Sequence, residues 1–288
     1  MSDHAKITRM GRGLYRFRQS GLSVAGLTIV SLLLVIAVFG VMFVPFPDHV
    51  TGGIETAARF QPPSARHWFG TNELGQDIFS LVIAGTRISL LSGFGVVMIA
   101  AFVGGLVGGV AGYLGGWVDE VLMRLTDLML TLPSLILAMA VAAALGAGLD
   151  HMVFAISLSW WPGFARLVRG EVLAKKEDLF VQAALALGAS DVRILFRHVL
   201  PNVVSPVIVK MSLDMGFAIL AVAALGFIGI GVKPPTPEWG SLLSTARGYL
   251  PDYWWTAIFP GMAIFIAVFG FNLLGDGLRD VFDPKARR

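Results

Sequence analysis

The sequence has 288 residues, 56% of them hydrophobic and only 14% charged, with a mean hydropathy of +0.75. That leaves too little polar surface for a soluble globule of this length and places the chain among membrane proteins. The net charge of +3 is spread unevenly, so it speaks to topology rather than to nucleic acid, and the lack of cysteine excludes disulfides, thiolate metal sites and cysteine nucleophiles.

Residues 1–20 are basic, with Lys6, Arg9, Arg12, Arg16 and Arg18, and lead into an apolar run over residues 21–44. As a helix that run spans roughly 30 Å of hydrocarbon. The competing reading is a cleaved signal peptide, whose apolar core should be shorter and end in small residues. We read an uncleaved first helix with its N-terminus inside. Residues 45–87 are broken by Pro45, Pro47, Pro62 and Pro63 and are expected to form an outer loop with one interfacial helix near residues 77–85.

A second spanning run covers residues 88–112, where Gly104, Gly108 and Gly112 form a small-residue ridge flanked by Gly105 and Gly109. In lipid such ridges let helix backbones approach closely, which is packing rather than chemistry. After an inner turn with Asp119 and Glu120, a third helix is expected over residues 121–145, kinked at Pro133. An outer turn at residues 144–151 leads to a fourth helix, residues 152–173, passing through Trp160, Trp161 and Pro162 to Arg166 and Arg169 at its inner end.

A polar island follows. Leu179, Phe180, Ala183, Ala184 and Leu187 recur at helical spacing and predict a short amphipathic helix with one apolar stripe. Gly188 permits a bend. A second short helix over residues 191–198 carries Arg193 and Arg197, and Pro201 opens the next helix at its first turn. Periodicity alone leaves two readings of this helix-bend-helix knob: a solvated loop, or a docking element. A fifth helix over residues 202–232, an outer loop over residues 233–254 and a last helix over residues 255–278 precede a short basic tail, residues 279–288.

Charge agrees with six helices and both ends in the cytoplasm. Lys6, Arg9, Arg12, Arg16, Arg18, Arg124, Arg166, Arg169, Lys175, Lys176, Arg193, Arg197, Arg279, Lys285, Arg287 and Arg288 fall inside; Arg59, Arg66, Arg87, Lys233 and Arg247 fall outside. The knob is then cytoplasmic. No lysine follows a glycine-rich phosphate-binding run, His4, His49, His67, His151 and His198 lack metal-ligand spacing, and no nucleophile elbow occurs. Lys210 and Asp214, four apart in the fifth helix, are either a self-satisfied structural pair or the lining of a translocation path. Asp127 and Asp276 lie near the inner boundary, where they cap or pair with arginines.

Gln182-Ala183-Ala184, three residues, Gly188, then Leu200-Pro201 resembles the glutamate-alanine-alanine loop of permease subunits in binding-protein-dependent ABC importers. Gln182 stands where glutamate is usual, and His198 where many members have isoleucine. The segment HWFGTNELGQDIFSLVIAGTRISLL, residues 67–91, resembles the dipeptide and oligopeptide permease subfamily, with Asn72 and Gln76 replacing the usual aspartate and arginine. That loop reads either as interfacial packing or as a ligand site. Residues 225–250 and 259–284 look like the closing segments of the subfamily's C-type subunit.

The resemblance implies an all-α, six-helix permease of the type I importer fold in the bacterial inner membrane, divided into a tail (1–20), first helix (21–44), periplasmic loop (45–87), five-helix core (88–278) with coupling loop (174–200), and cytoplasmic tail (279–288). It implies that Phe180, Gln182, Ala183, Ala184, Leu187, Gly188, Arg193, Leu200 and Pro201 form the ATPase-coupling loop, which docks helix-in-groove. It also implies a homologous second permease, two ATPase subunits carrying ATP and Mg, a periplasmic binding protein and membrane lipid as partners. This chain is then no enzyme and binds no metal, cofactor or nucleic acid of its own. Short peptides are the expected cargo; the alternatives are glutathione, nickel chelates or oligosaccharides through the same machinery, or an ATP-independent secondary transporter. The last would show matched repeats or broken helices in two halves, and no such repeat is found.

Overall fold

The structure is a computed structural model that describes residue 15 and residues 17–282; the basic positions expected inside at Lys6, Arg9, Arg12, Arg16, Lys285, Arg287 and Arg288 lie outside the described residues. Among the described residues every regular element is a helix, apart from one isolated bridge between Thr71 and Asp77. Helix α1, Gly21–Phe39, starts where the Ser20 hydroxyl accepts the Ser23 amide. Helix α2, Ile78–Leu114, has 37 residues, so at about 1.5 Å per residue it outruns the hydrocarbon thickness. The interfacial helix expected near residues 77–85 is therefore the first two turns of α2. The polar run Gly85-Thr86-Arg87 does not end it, because Asp77 caps its first turn, accepting from the Ser80 amide at 2.8 Å, and Arg87 points to the exposed side.

The expected third span is two helices, α3 (Gly116–Thr131) and α4 (Ser134–Leu145), bent by 89°. The kink foreseen at Pro133 is a full break: Leu132 is extended at ψ 133°, as the residue before proline prefers. Helix α5, Leu149–Lys176, is continuous through Pro162. Four helical stretches are long and apolar enough to cross a membrane, residues 21–43, 78–114, 191–228 and 255–282, and five if the bent pair counts as one. Helix α5, which is the fourth helix expected from the sequence, is not among these. Its 28 residues suffice in length, but His151, the serines and the Trp160-Trp161-Pro162 stretch dilute its apolar character and Arg166 to Lys176 charge its end.

Helix α6, Leu179–Ala186, and the single turn α7, Asp191–Ile194, follow. A π-helical turn, Leu195–Val199, joins α7 to α8, Leu200–Ile228, so the second arm of the knob runs without interruption into the fifth span. Helix α9, Trp239–Ala246, and α10, Trp255–Phe282, complete the chain.

Gly104 and Gly108 of α2 press against the backbone of Trp161 and Ala165 in α5, where a β-carbon would collide. Around this seam Val96, Val97, Ala100, Ala155, Ile156, Phe164, Ile219 and Val222 form the buried core. Gly26 of α1 meets the Leu273–Leu274 backbone of α10, and Gly277 of α10 meets Ser23. Close backbone approach, with dispersion in place of a hydrophobic driving force, is how helices associate in lipid. The bundle thus has two ends. One carries the knob; the other is a collar formed by residues 40–77 and 229–254.

Candidate functional site

The knob has an inside and an outside. Inside it, Val181, Ile194, Leu195 and Val199 pack with Tyr113 of α2 and Val168 and Val172 of α5, joined by the half-buried Ala184 and Ala189. Outside, Leu179 is 82% exposed, Leu187 88% and Phe180 39%, with Ala183, Val192 and Phe196 also exposed. The apolar stripe read from the sequence is therefore real except at Ala184, which turns inward. At Gly188 φ is +76°, a conformation that disfavours side chains, and its amide donates to Leu185 O at 2.9 Å while that of Ala189 donates to Ala184 O. Gln182 reaches back to Glu177 O at 3.2 Å. Arg193 is exposed and in none of the ion pairs between described residues. Leu200 and Pro201 sit in the first turn of α8.

Polar contacts tie the knob to the bundle. The Tyr113 hydroxyl donates to Asp191 Oδ1 at 3.0 Å, and Lys176 Nζ donates to Tyr113 O at 2.7 Å while lying 5.5 Å from the Tyr113 ring. Arg169 forms a fork with Asp119, at 2.5 and 2.6 Å, and Arg166 donates to Asp127 at 2.6 Å. Two parallel N–H···O bonds make the former the better-defined pair. The Tyr113–Asp191 bond thus joins the knob to α2, Lys176 joins the ends of α2 and α5, and the two arginine pairs join α5 to α3. The arginine pairing foreseen for Asp127 is present; Asp276 is exposed and in none of the ion pairs among the described residues.

Lys210 and Asp214 pair across one turn of α8 at 2.8 Å, with side chains 31% and 19% exposed. The ammonium lies 4.9 Å from the Phe164 ring and against Gly163, so the pair faces α5.

The collar holds a network that the sequence does not announce. His67 is fully buried, its Nδ1 3.0 Å from Asp77 Oδ1, and His49 Nδ1 accepts the Asp77 amide at 2.9 Å. Phe46 stacks on both rings. Burial pushes the His49 pKa below its ordinary 6.5, against the pull of Glu55 and Asp77. Two histidines 18 positions apart with an aspartate ten residues beyond the second give no metal-ligand spacing signal. Among the described residues no group of three or more His, Asp or Glu is poised for a metal. Asn72 Nδ2 donates to Gln76 Oε1 at 2.9 Å, and Asn72 Oδ1 accepts from the backbone amides of Leu74 and Gln76, so this part of the loop is held by side-chain amides. Glu238 is buried at the N-terminus of α9, accepting from the Gly240 and Ser241 amides at 2.8 Å; burial raises its pKa. A cavity of about 260 Å³ opens between this element and the Asn72–Gln76 loop, with Glu73, Thr236 and Thr245 on its wall.

Residues 104–288 match the family of binding-protein-dependent transport system inner membrane components, and residues 8–63 match the N-terminal membrane domain of oligopeptide transport permease C. The probable D,D-dipeptide transport system permease DdpC of Escherichia coli strain K12 is 44% identical over 95% of this chain and 91% of its own. The dipeptide transport system permease DppC of Alkalihalophilus pseudofirmus is 42% identical over 94% and 88%, and the glutathione transport system permease GsiD of Escherichia coli O6:K15:H31 is 42% identical over 94% and 89%. An inward-facing structure of the MetNI methionine ABC transporter superposes with a TM-score of 0.54 at 17% identity, over 70% of this chain and 97% of that one.

Proposed function

The chain belongs to the family of binding-protein-dependent transport system inner membrane components, and on that premise we propose that it forms half of the translocation path of an ATP-driven importer of short peptides. It is a multi-pass inner-membrane permease and not itself an ATPase. The observation that carries the coupling role is the knob: a helix braced from within by Val181 and Ile194 that leaves Leu179, Phe180 and Leu187 exposed among the described residues. A helix-in-groove contact needs such a row of anchors. In this reading the knob faces the cytoplasm and seats in an ATPase subunit that carries ATP and Mg. The collar faces the periplasmic binding protein, and a homologous permease supplies the other half of the path.

Leu179, Phe180, Ala183 and Leu187 would be the anchors, Gln182 and Arg193 the polar rim, and Gly188, Leu200 and Pro201 the frame. Ala184 belongs to the knob's interior. Closure of the ATPase dimer on ATP would draw two knobs together, and the Arg169–Asp119 fork would carry that motion to α3 and α5. Binding protein and nucleotide then bias one two-state element from opposite sides, a reciprocal coupling. The Lys210–Asp214 pair is proposed to line the path, since paired charges at depth favour a bundle interior or a water-filled route.

Glutathione is the second reading, favoured by the 42% identity to the GsiD permease over nearly the whole chain. Uptake into proteoliposomes holding the complete complex and its binding protein decides between them. We expect a labelled dipeptide to accumulate with ATP and to be outcompeted by other short peptides. Competition by glutathione alone would transfer the assignment to that tripeptide; accumulation without ATP would refute the importer.

A further inference from the structure

A groove of about 660 Å³ runs between α1 and α8, with α2 and α10 as its floor. Leu34, Leu91, Phe94 and Ile208 are its exposed lining, and Leu90, Val97, Met215 and Phe271 its buried lining. Its volume is that of a small-molecule site, which spans about 300–1,000 Å³. Two polar side chains reach it. The Ser212 hydroxyl is already used, donating to Ile208 O at 3.0 Å. The other, Arg87, is exposed and in none of the ion pairs between described residues.

Arg87 lies nine residues into α2, about 14 Å from its start along the axis. Gly40, just past the end of α1, abuts Ile83, one turn closer to the collar. The Arg87 backbone therefore sits about one turn inside the level at which α1 ends, so its exposed side chain lies near the boundary between the apolar belt and the collar. An unpaired cation at such a depth demands an anion or a route to water. A protein helix laid over the groove would seal Arg87 away unless it brought a carboxylate at that level. A phospholipid brings its own phosphate at the right height and an acyl chain for the slot below.

We propose that this groove is a binding site for one anionic phospholipid of the collar-side leaflet, with its phosphate on Arg87 and one acyl chain between α1 and α8. Arginine suits this role because its fork bonds phosphate oxygens bidentately. Lipid held there would fill the slot between α1 and α8, so occupancy would set how freely the two slide.

The test is native mass spectrometry of the intact permease complex, delipidated in detergent and titrated with phosphatidylglycerol or phosphatidylcholine of identical chains. The wild type should retain phosphatidylglycerol over phosphatidylcholine by roughly fivefold or more. Arg87→Gln should abolish the preference, Arg87→Lys should keep most of it, and Ile208→Trp, which fills the slot, should lower retention of both lipids. The charge-conserving variant separates lost recognition from a misfolded chain. Equal retention by the wild type, or an undiminished preference in Arg87→Gln, would overturn the proposal. So would efficient cross-linking of both residue 34 and residue 208 to a protein partner in native membranes. None of these results depends on which solute the complex carries.

Discussion

Replacing Leu179 and Leu187 together by alanine should detach the ATPase subunits while leaving the permease folded. These two side chains are 82% and 88% exposed, so they contribute almost nothing to the chain's own packing, and such surface substitutions change stability by about 0.5 kcal/mol or less. In a docked complex each leucine would pass from near-full exposure to burial, which is worth about 1.5–3 kcal/mol. Alanine keeps only the first carbon of that side chain, so the pair should cost roughly 2–4 kcal/mol of binding, a weakening of about 30- to 1,000-fold. The assay is affinity of purified ATPase subunits for nanodisc-embedded permease, with the unfolding temperature of the permease alone as control. Val181→Ala makes the contrast: it empties a site inside the knob, lowering the chain's own stability by about 0.5–2 kcal/mol. An affinity within about twofold of wild type in the double variant would refute the docking assignment.

Other expectations test separate parts of the structure. At Gly188 the space is open but φ is +76°, so Gly188→Ala should cost about 1–2 kcal/mol through strain, visible as faster hydrogen exchange across residues 179–194. A charge at Ala184 should unfold the knob rather than merely uncouple it, because that side chain packs against Val181's cluster. Gly108→Leu should drive α2 from the Ala165 backbone and prevent complex assembly, whereas Gly105→Ala, with nothing within 4 Å, should be silent in the same co-purification. Asp119→Asn should weaken ATPase stimulation and lower the melting temperature by the equivalent of about 1–3 kcal/mol; the exchanged pair Asp119→Arg with Arg169→Asp should recover part of both. His49 has its pKa lowered in the folded collar from 6.5, so below 6.5 the unfolded chain takes up a proton that the fold refuses. Collar stability should fall as pH drops through 6.5, and His49→Gln should remove that component of a thermal-shift profile.

The sequence exposes what repeats or is bulk-apolar, and conceals what depends on distant partners. Helix α1, the glycine ridge of α2 and the knob with its Gly188 bend all come from short-range pattern, and the structure holds each of them. The start of α2 is hidden because Arg87 breaks the apolar run, although one exposed charge does not break a capped helix. The right-angle break at Pro133 reads as a kink because proline's local effect is known from sequence, while the angle depends on what α3 and α4 pack against. Ala184 looks like part of the exposed stripe since spacing cannot tell which side of a short helix meets α2 and α5. The His49–Asp77–His67 network, the Arg169–Asp119 fork and the buried Glu238 cap are invisible in one dimension, because each joins residues whose proximity exists only after folding.

The central claim is that this chain couples nucleotide hydrolysis on its knob side to substrate delivery on its collar side. ATP hydrolysis by the complete complex in lipid, measured with and without peptide-loaded binding protein, tests it most directly. Stimulation by the loaded binding protein that disappears in the Leu179→Ala, Leu187→Ala variant is the predicted result. Hydrolysis indifferent to the binding protein, together with substrate flux in the absence of ATP, would contradict it.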